Sequence, residues 1–261
     1  MNEIQSVQFE MLKVLNRICL KHNLSYYLAY GSCLGAVREK GFIPWDHDID
    51  VAMPIKDAKQ LLKYKEEFPE PYFLSSRYND KVNKSIKYLV VDSSKKCHLM
   101  KGKQIVDPNA RIGLDILPLY SCPTTKMGMA INVVRSHVLK ILLGGVPQNH
   151  GKTFKVIANV ILFVYGRGNK KAKIDRLEKK LQYKGKSDLL ADYFGNSVSL
   201  FKTKTFKKKW FRKPTKLIFE QQTFFGPTDT DNYLKTLYGD YMTPPPERDR
   251  ESVTKLIIVE Q

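Results

Sequence analysis

Asp46, Asp48 and Asp50 stand at every second position in GFIPWDHDIDVAMP, Gly41 to Pro54, between a Pro-Trp pair and an apolar run. Side chains on a strand alternate faces, so the three carboxylates would share one face if the strand reaches back to Asp46, with Ile49 and Val51 turned into a core. Pro44 keeps the residue before it extended. Carboxylates that close repel, and each raises the pKa of the next. Two arrangements relieve this: a divalent cation held among them, or a solvated edge strand with Arg or Lys partners. Mg²⁺ suits the first, because it takes one or two carboxylates and completes its shell with water and substrate phosphate.

The preceding residues favour a ligand. Leu24 to Tyr30 (LSYYLAY) reads as a short buried strand, with Tyr26, Tyr27 and Tyr30 as core packing. It stops at Gly31-Ser32, and CLGAVREK follows as a short helix ending near Gly41. A glycine there lets backbone approach a ligand, and a helix start presents free N–H groups to phosphate; the Ser32 hydroxyl adds a donor. Asp115, between apolar neighbours in GLDILPL, offers a third carboxylate from another strand, or else sits in a hydrogen-bonded turn or salt bridge.

The rest of the chain sets the frame. Residues 1–22 read as a helix on Ile4, Val7, Met11, Leu15 and Ile18, and residues 55–67 as a second. Strands are expected over Asp48–Met53, closed by Pro54, over Ser85–Val91, and over Gly113–Leu119, stopped by Pro118. An apolar helical region follows over 127–165. From Arg167 to Lys216 there are 17 Lys or Arg against 4 Asp or Glu. The expected fold is α/β (α+β), a mixed β-sheet core flanked by helices with a helical, basic C-terminal portion.

A formal charge of +18 and a pI near 9.6 predict polyanionic partners: nucleic acid, an anionic membrane surface or an acidic polymer. No uninterrupted run reaches the roughly 18–20 apolar residues of a membrane span. Met127–Leu143 is broken by Asn132, Arg135, His137 and Lys140, and Val156–Tyr165 is short; each is either a core helix or a helix lying on a membrane. The four cysteines form no CxxC pair and the N-terminus lacks the order of a secretory signal, which reads as reduced thiols in the cytosol.

Gly31-Ser32, Asp48-x-Asp50 and Asp115 together resemble the three-part signature of the nucleotidyltransferase superfold. The longer string YGSCLGAVREKGFIPWDHDIDVAMP resembles the LicD family, with its Gly-Ser or Gly-Thr, Leu-Gly-Ala-x-Arg and Ile-Pro-Trp-Asp-x-Asp-x-Asp. LDILPL is similar to that family's second motif, and YLKTLYGDYMTPPPERDR, Tyr233 to Arg250, to its C-terminal motif. Residues 125–225 resemble no named motif.

That resemblance implies a nucleotidyltransferase-like catalytic core over 1–124, a helical, basic insertion facing acceptor or membrane over 125–225, and a C-terminal motif closing the active site over 226–261. LicD proteins are similar to fukutin-related proteins and transfer an alcohol phosphate, most often phosphocholine, from a CDP-linked donor such as CDP-choline to a sugar hydroxyl of a cell-surface glycan such as teichoic acid or lipopolysaccharide. The implied catalytic and metal residues are Asp48, Asp50 and Asp115, holding Mg²⁺ with Mn²⁺ as a substitute. The implied substrate-binding residues are Gly31, Ser32, Arg38, Trp45, Asp46, Tyr238 and Arg248, with the Trp45 ring offered to choline's ammonium and the Arg38 fork to phosphate. The implied partners are a CDP-alcohol and an anionic glycan or glycolipid acceptor. Peripheral contact with an anionic membrane, at the inner face of the cell membrane, agrees with the charge. A nucleotidyltransferase using NTP on RNA or a small molecule shares the core. A non-enzymatic binder leaves the aspartates unexplained, and no motif for specific nucleic-acid readout is present.

Overall fold

The computed structural model describes residues 1–146, 151–195, 203–250 and 254–259. In chain order these form α1 (Glu3–Lys21), β1 (Tyr27–Leu28), α2 (Tyr30–Arg38), β2 (Asp50–Pro54), α3 (Ile55–Leu61), β3 (Tyr72–Ser75) and β4 (Tyr88–Asp92). Then come β5 (Lys96–Lys101), β6 (Gln104–Ala110), β7 (Gly113–Ser121), α4 (Lys126–Gly144), α5 (Lys152–Gly166) and α6 (Lys170–Leu181). Last are β8 (Leu189–Ala191), β9 (Thr205–Lys207), β10 (Thr215–Phe219), β11 (Gln222–Gly226), α7 (Thr230–Tyr238) and β12 (Lys255–Val259). The class is the expected mixture of helices and mixed sheet.

The chain divides into two compact units. The first comprises Met1–Ser75, Tyr88–Leu117 and Lys209–Gln261, and the second Ser76–Lys87 and Pro118–Lys208. Aromatic packing ties residues 215–226 to the first unit: Phe219 and Phe224, on the β10–β11 hairpin, pack against Phe9 of α1, and Phe219 also against Phe42.

In the first unit the central sheet runs β1-β2-β7-β4-β3, and β12-β5-β6 form a second sheet. Helix α1 starts with a capping box, in which Asn2 Oδ1 accepts the Gln5 N–H at 2.8 Å and Gln5 Oε1 accepts the Asn2 N–H at 2.9 Å. Its buried stripe includes Met11, Leu12, Leu15 and Ile18. Two buried glutamines on the same helix act as tethers: Gln5 Nε2 donates to the Asp46 carbonyl at 2.9 Å and Gln8 Nε2 to the Gly113 carbonyl at 3.0 Å. The strand expected over Leu24–Tyr30 narrows to two residues, because Tyr30 already opens α2. Its tyrosines are core, as expected: Tyr26 bonds Asn16 and the Tyr27 hydroxyl bonds the Phe211 carbonyl.

Pro118 does not stop β7. The strand pairs with β4 over Gly113–Ile116 and with β8 at Tyr120 and Ser121, so proline's missing N–H falls between the two registers. Strands β8 to β12 all follow residue 188, so strands are not confined to the first half, and among the described residues of the basic run 167–216 the α-helical part is Lys170–Leu181, with a short 3-10 turn over Lys208–Phe211.

In the second unit α4 packs with α5 and α6. By length and composition α4 is long and apolar enough to cross a membrane, despite the polar residues that interrupt it. Asn132, one of these, is buried and satisfied: its Nδ2 donates to the Leu181 carbonyl and to the Tyr193 hydroxyl, each at 3.1 Å. Val133, Leu139, Ile141 and Leu142 of α4 are buried beside it.

All four cysteines are free and buried. Burial pushes the Cys19 and Cys122 thiols up to about 12, so little thiolate forms at neutral pH. None of the four is expected to react with a thiol reagent at pH 8 in the native protein within the time that denaturant exposes all of them. A rapidly reacting native thiol contradicts this packing.

Candidate active site

The acidic stretch is not a strand face. Pro44 and Trp45 form a turn, residues 46–49 are an irregular loop, and β2 begins only at Asp50. Asp46 and Asp48 therefore precede the strand, and loop geometry rather than strand alternation brings them together. Their carboxylates share a hydrogen bond. Burial and the adjacent Asp48 charge push Asp46 well above the ordinary carboxylate range, to about 7, although the His47 N–H donates to it.

Helix α2 fixes the loop from the other side. The Ala29 N–H donates to the Asp50 carbonyl at 2.9 Å, and the Asp50 N–H donates to Ser32 Oγ at 2.9 Å. Ser32 thus orients the start of β2 as well as standing in the first turn of α2. The cap of α2 is Ala29, which offers no side-chain acceptor to the first-turn N–H groups of Gly31 and Ser32, the arrangement an anion exploits. Tyr30 holds a left-handed φ of 44° at the helix entry, and its N–H donates to the buried Tyr233 hydroxyl at 3.2 Å.

Two glycines are required by close approach. A side chain at Gly31 would collide with the Asp46 carboxylate, and one at Gly35 with the Gly41 carbonyl. The Gly35→Ala collision is with backbone, so it is expected to cost about 1–3 kcal/mol in chemical denaturation. Gly31→Ala meets a movable side chain. It is expected to cost less stability and to displace Asp46, so that loss of activity exceeds loss of stability. Equal behaviour of the two variants contradicts this assignment.

Gly31, Arg38, Trp45, Asp46, Tyr238 and Tyr241 are among the walls of a cleft of about 440 Å³ in the first unit. The Arg38 side chain is only 8% exposed; its Nε pairs with Glu39 at 2.8 Å and its Nη1 donates to the Tyr241 carbonyl at 3.2 Å. Its guanidinium lies 5.7 Å from the Trp45 ring centre, and that of Arg250 lies 4.7 Å from it. The ring expected to meet a choline ammonium is thus already faced by two cations. Although Tyr238 is 44% exposed, desolvation and then the charges of Asp50, Asp46 and Asp48 hold its phenol well above its ordinary value. That places its hydroxyl in the field of all three aspartates.

Asp115 lies on β7 beside the acidic segment, its N–H donating to the Ile49 carbonyl at 3.0 Å. Among the described residues no three His, Cys, Asp or Glu side chains are grouped closely enough to hold a metal ion, so Asp48, Asp50 and Asp115 do not form a closed ligand cage. The Asp46–Asp48 contact nonetheless fits a hard dication, which needs only one or two carboxylates and takes its other oxygens from water and phosphate. Arg248 is exposed and outside the cleft walls.

Residues 23–127 match the family model described as LicD/FKTN/FKRP, nucleotidyltransferase domain. That stretch is similar to a LicD domain. The match contains the first turn of α2, the acidic loop, β2 and Asp115, whereas Tyr238, Tyr241 and Arg250 lie beyond it. Over nearly its whole length the chain is similar to the lipopolysaccharide cholinephosphotransferase LicD of Haemophilus influenzae: 25% identical over 264 residues, covering 96% of this chain and 94% of the relative. It is also similar to uncharacterized proteins of Rickettsia prowazekii, 31% identical over 62 residues (24% of this chain, 23% of the relative), and of Rickettsia typhi, 32% over 79 residues (29% and 23%). The sequence pointed to the matched side of the cleft and, beyond it, to Tyr238 and the last motif; it did not single out Tyr241 and Arg250 within that motif.

Proposed function

We propose that this chain transfers an alcohol phosphate, phosphocholine first among them, from a CDP-linked donor to a hydroxyl of an anionic cell-surface glycan or glycolipid, releasing CMP. One observation carries the proposal. The acidic loop and the uncapped first turn of α2 meet at a single cleft, inside the region that matches the LicD family. The relative named as a lipopolysaccharide cholinephosphotransferase, aligned along 96% of this chain, supports the transferred group and the acceptor class.

Each residue then has a task. The first-turn N–H groups of Gly31 and Ser32 receive donor phosphate oxygens. Arg38, held by Glu39 and the Tyr241 carbonyl, fixes the cationic wall of the cleft. Asp46 and Asp48, whose carboxylates are in contact, would hold Mg²⁺ or Mn²⁺, with Asp50 close behind them at the start of β2. When bound, the ion offsets charge building on the departing CMP. The acceptor hydroxyl attacks the phosphorus bearing the alcohol, the bond from that phosphorus to CMP breaks, and Asp115 takes the hydroxyl proton. Trp45, faced by Arg38 and Arg250, shapes the mouth, which leaves Tyr238 and Tyr241 as the aromatic surfaces for the alcohol.

The test is product release. The protein is incubated with Mg²⁺, an isolated glycan acceptor and a panel of CDP-alcohols, with NTPs in parallel. CMP formed only with acceptor present supports the proposal. Pyrophosphate from an NTP replaces it with nucleotidyl transfer, and no CMP from any CDP-alcohol overturns it.

A further inference from the structure

Helix α5 is apolar on two sides, and the described residues of its own unit cover only one of them. Ala158 is buried, and Phe154, Ile161 and Leu162 are half-buried. Val156, Ile157, Val160, Phe163 and Val164 recur at helical spacing on the other side and are 62, 51, 57, 59 and 57% exposed. In α4, by contrast, the longer apolar helix, Val133, Leu139, Ile141 and Leu142 are spent on packing. A five-residue apolar stripe left in the open is a liability unless something apolar receives it.

The residues around the stripe identify the receiver. Lys152 and Lys155 stand in the first turn of α5, where they oppose the helix dipole instead of complementing it, and no Asp or Glu occurs in the helix. Arg167, Lys170 and Lys171 follow its end. The Arg167 guanidinium lies 3.7 Å from the Phe163 ring centre, and Lys173 Nζ donates to the Arg167 carbonyl at 2.8 Å. An apolar stripe bordered by cations at both ends of one helix complements a surface that is apolar below and anionic above.

We propose that α5 docks the chain on an anionic phospholipid bilayer. The Val156–Val160–Phe163–Val164 stripe enters the acyl boundary, and Lys152, Lys155, Arg167, Lys170 and Lys171 meet headgroup phosphates. This proposal does not rest on the reading of the cleft, since it concerns a different unit of the chain and a different ligand.

The test uses the full chain and vesicles of phosphatidylcholine with and without phosphatidylglycerol. The wild type is expected to co-sediment with the anionic vesicles. The double variant Val160→Glu/Phe163→Glu is expected to lose about tenfold or more in partitioning, while its thermal unfolding and circular dichroism stay unchanged. A Phe163→Trp variant is expected to gain blue-shifted emission over the wild type on binding, quenched by brominated acyl chains. Undiminished binding by the double Glu variant, or emission that the brominated lipid leaves untouched, would assign attachment to surface charge alone and overturn the proposal. Self-association that the Glu variant abolishes, with no vesicle binding by wild type, would make a second copy the occupant and also overturn it.

Discussion

Asp48→Asn and Asp50→Asn are each expected to lower turnover by about 10²–10³-fold and to leave the fold intact. Asp48 is exposed and precedes the strand, and Asp50 begins β2 with its backbone held by Ser32 and Ala29. Those bonds run through main-chain atoms, which an amide side chain does not disturb. Asn keeps the shape of Asp but loses the charge that a dication and a phosphoryl donor require. CMP release at saturating CDP-alcohol reads the effect, and thermal unfolding checks the fold. If the chain were only a binder of polyanions, removing a carboxylate would leave affinity for an anionic glycan unchanged or higher. Wild-type turnover in either variant removes the aspartates from the chemistry. Chelation by EDTA is expected to stop the wild type and added Mg²⁺ to restore it; undiminished activity in EDTA counts against the ion.

The second large effect lies in the other unit. Arg77→Met is expected to destabilise the segment 118–208 by about 3–5 kcal/mol. The Arg77 and Glu178 side chains are only 9% and 3% exposed and pair directly; Arg77 Nη2 also meets Asp175 at 2.8 Å, and the Tyr78 hydroxyl donates to Glu178 at 2.8 Å. Burial disfavours the guanidinium charge, but Glu178 and then Asp175 outweigh it and hold the group charged. Without Arg77 the buried Glu178 carboxylate keeps the Tyr78 hydroxyl but loses the guanidinium, and the loss of that charge pairing is the main penalty. Asp175 is 38% exposed, so its share is small. The pair variant Arg77→Met/Glu178→Met is expected to recover most of the loss, since an apolar replacement of a buried ion pair is often neutral. Hydrogen exchange in α6 measures this without assuming that both units unfold together. A fully protected α6 in Arg77→Met contradicts the assignment.

The parts of this molecule legible in the sequence were those encoded over short distances. Gly31-Ser32 marked a turn into a helix because glycine and the strand-to-helix change lie side by side, and Pro54 ends β2 as expected. The acidic residues were legible as a cluster but not as a shape. Strand alternation was the natural reading of Asp-x-Asp-x-Asp, yet the turn at Pro44-Trp45 and the tether from Gln5 hold Asp46 and Asp48 in a loop. Nothing in local periodicity distinguishes these two cases. Arg250 over Trp45 was hidden for a different reason: some 200 residues separate the partners, and no pattern of spacing encodes a contact that only the fold creates. The same holds for Phe219 and Phe224 against Phe9. Pro118 misled because a proline breaks a strand only where its N–H is needed.

The amide of Gln5 reaches forty-one positions along the chain to the carbonyl of Asp46. A product whose translation begins at Met11 would keep every motif residue, the carboxylates of the acidic loop and the whole cleft wall. It would lack both glutamine anchors of α1, and with them the bond that keeps the acidic loop in register. Such a shortened protein would keep the signature and lose the geometry that the signature needs, so the first turns of α1 matter to this site as much as its aspartates do.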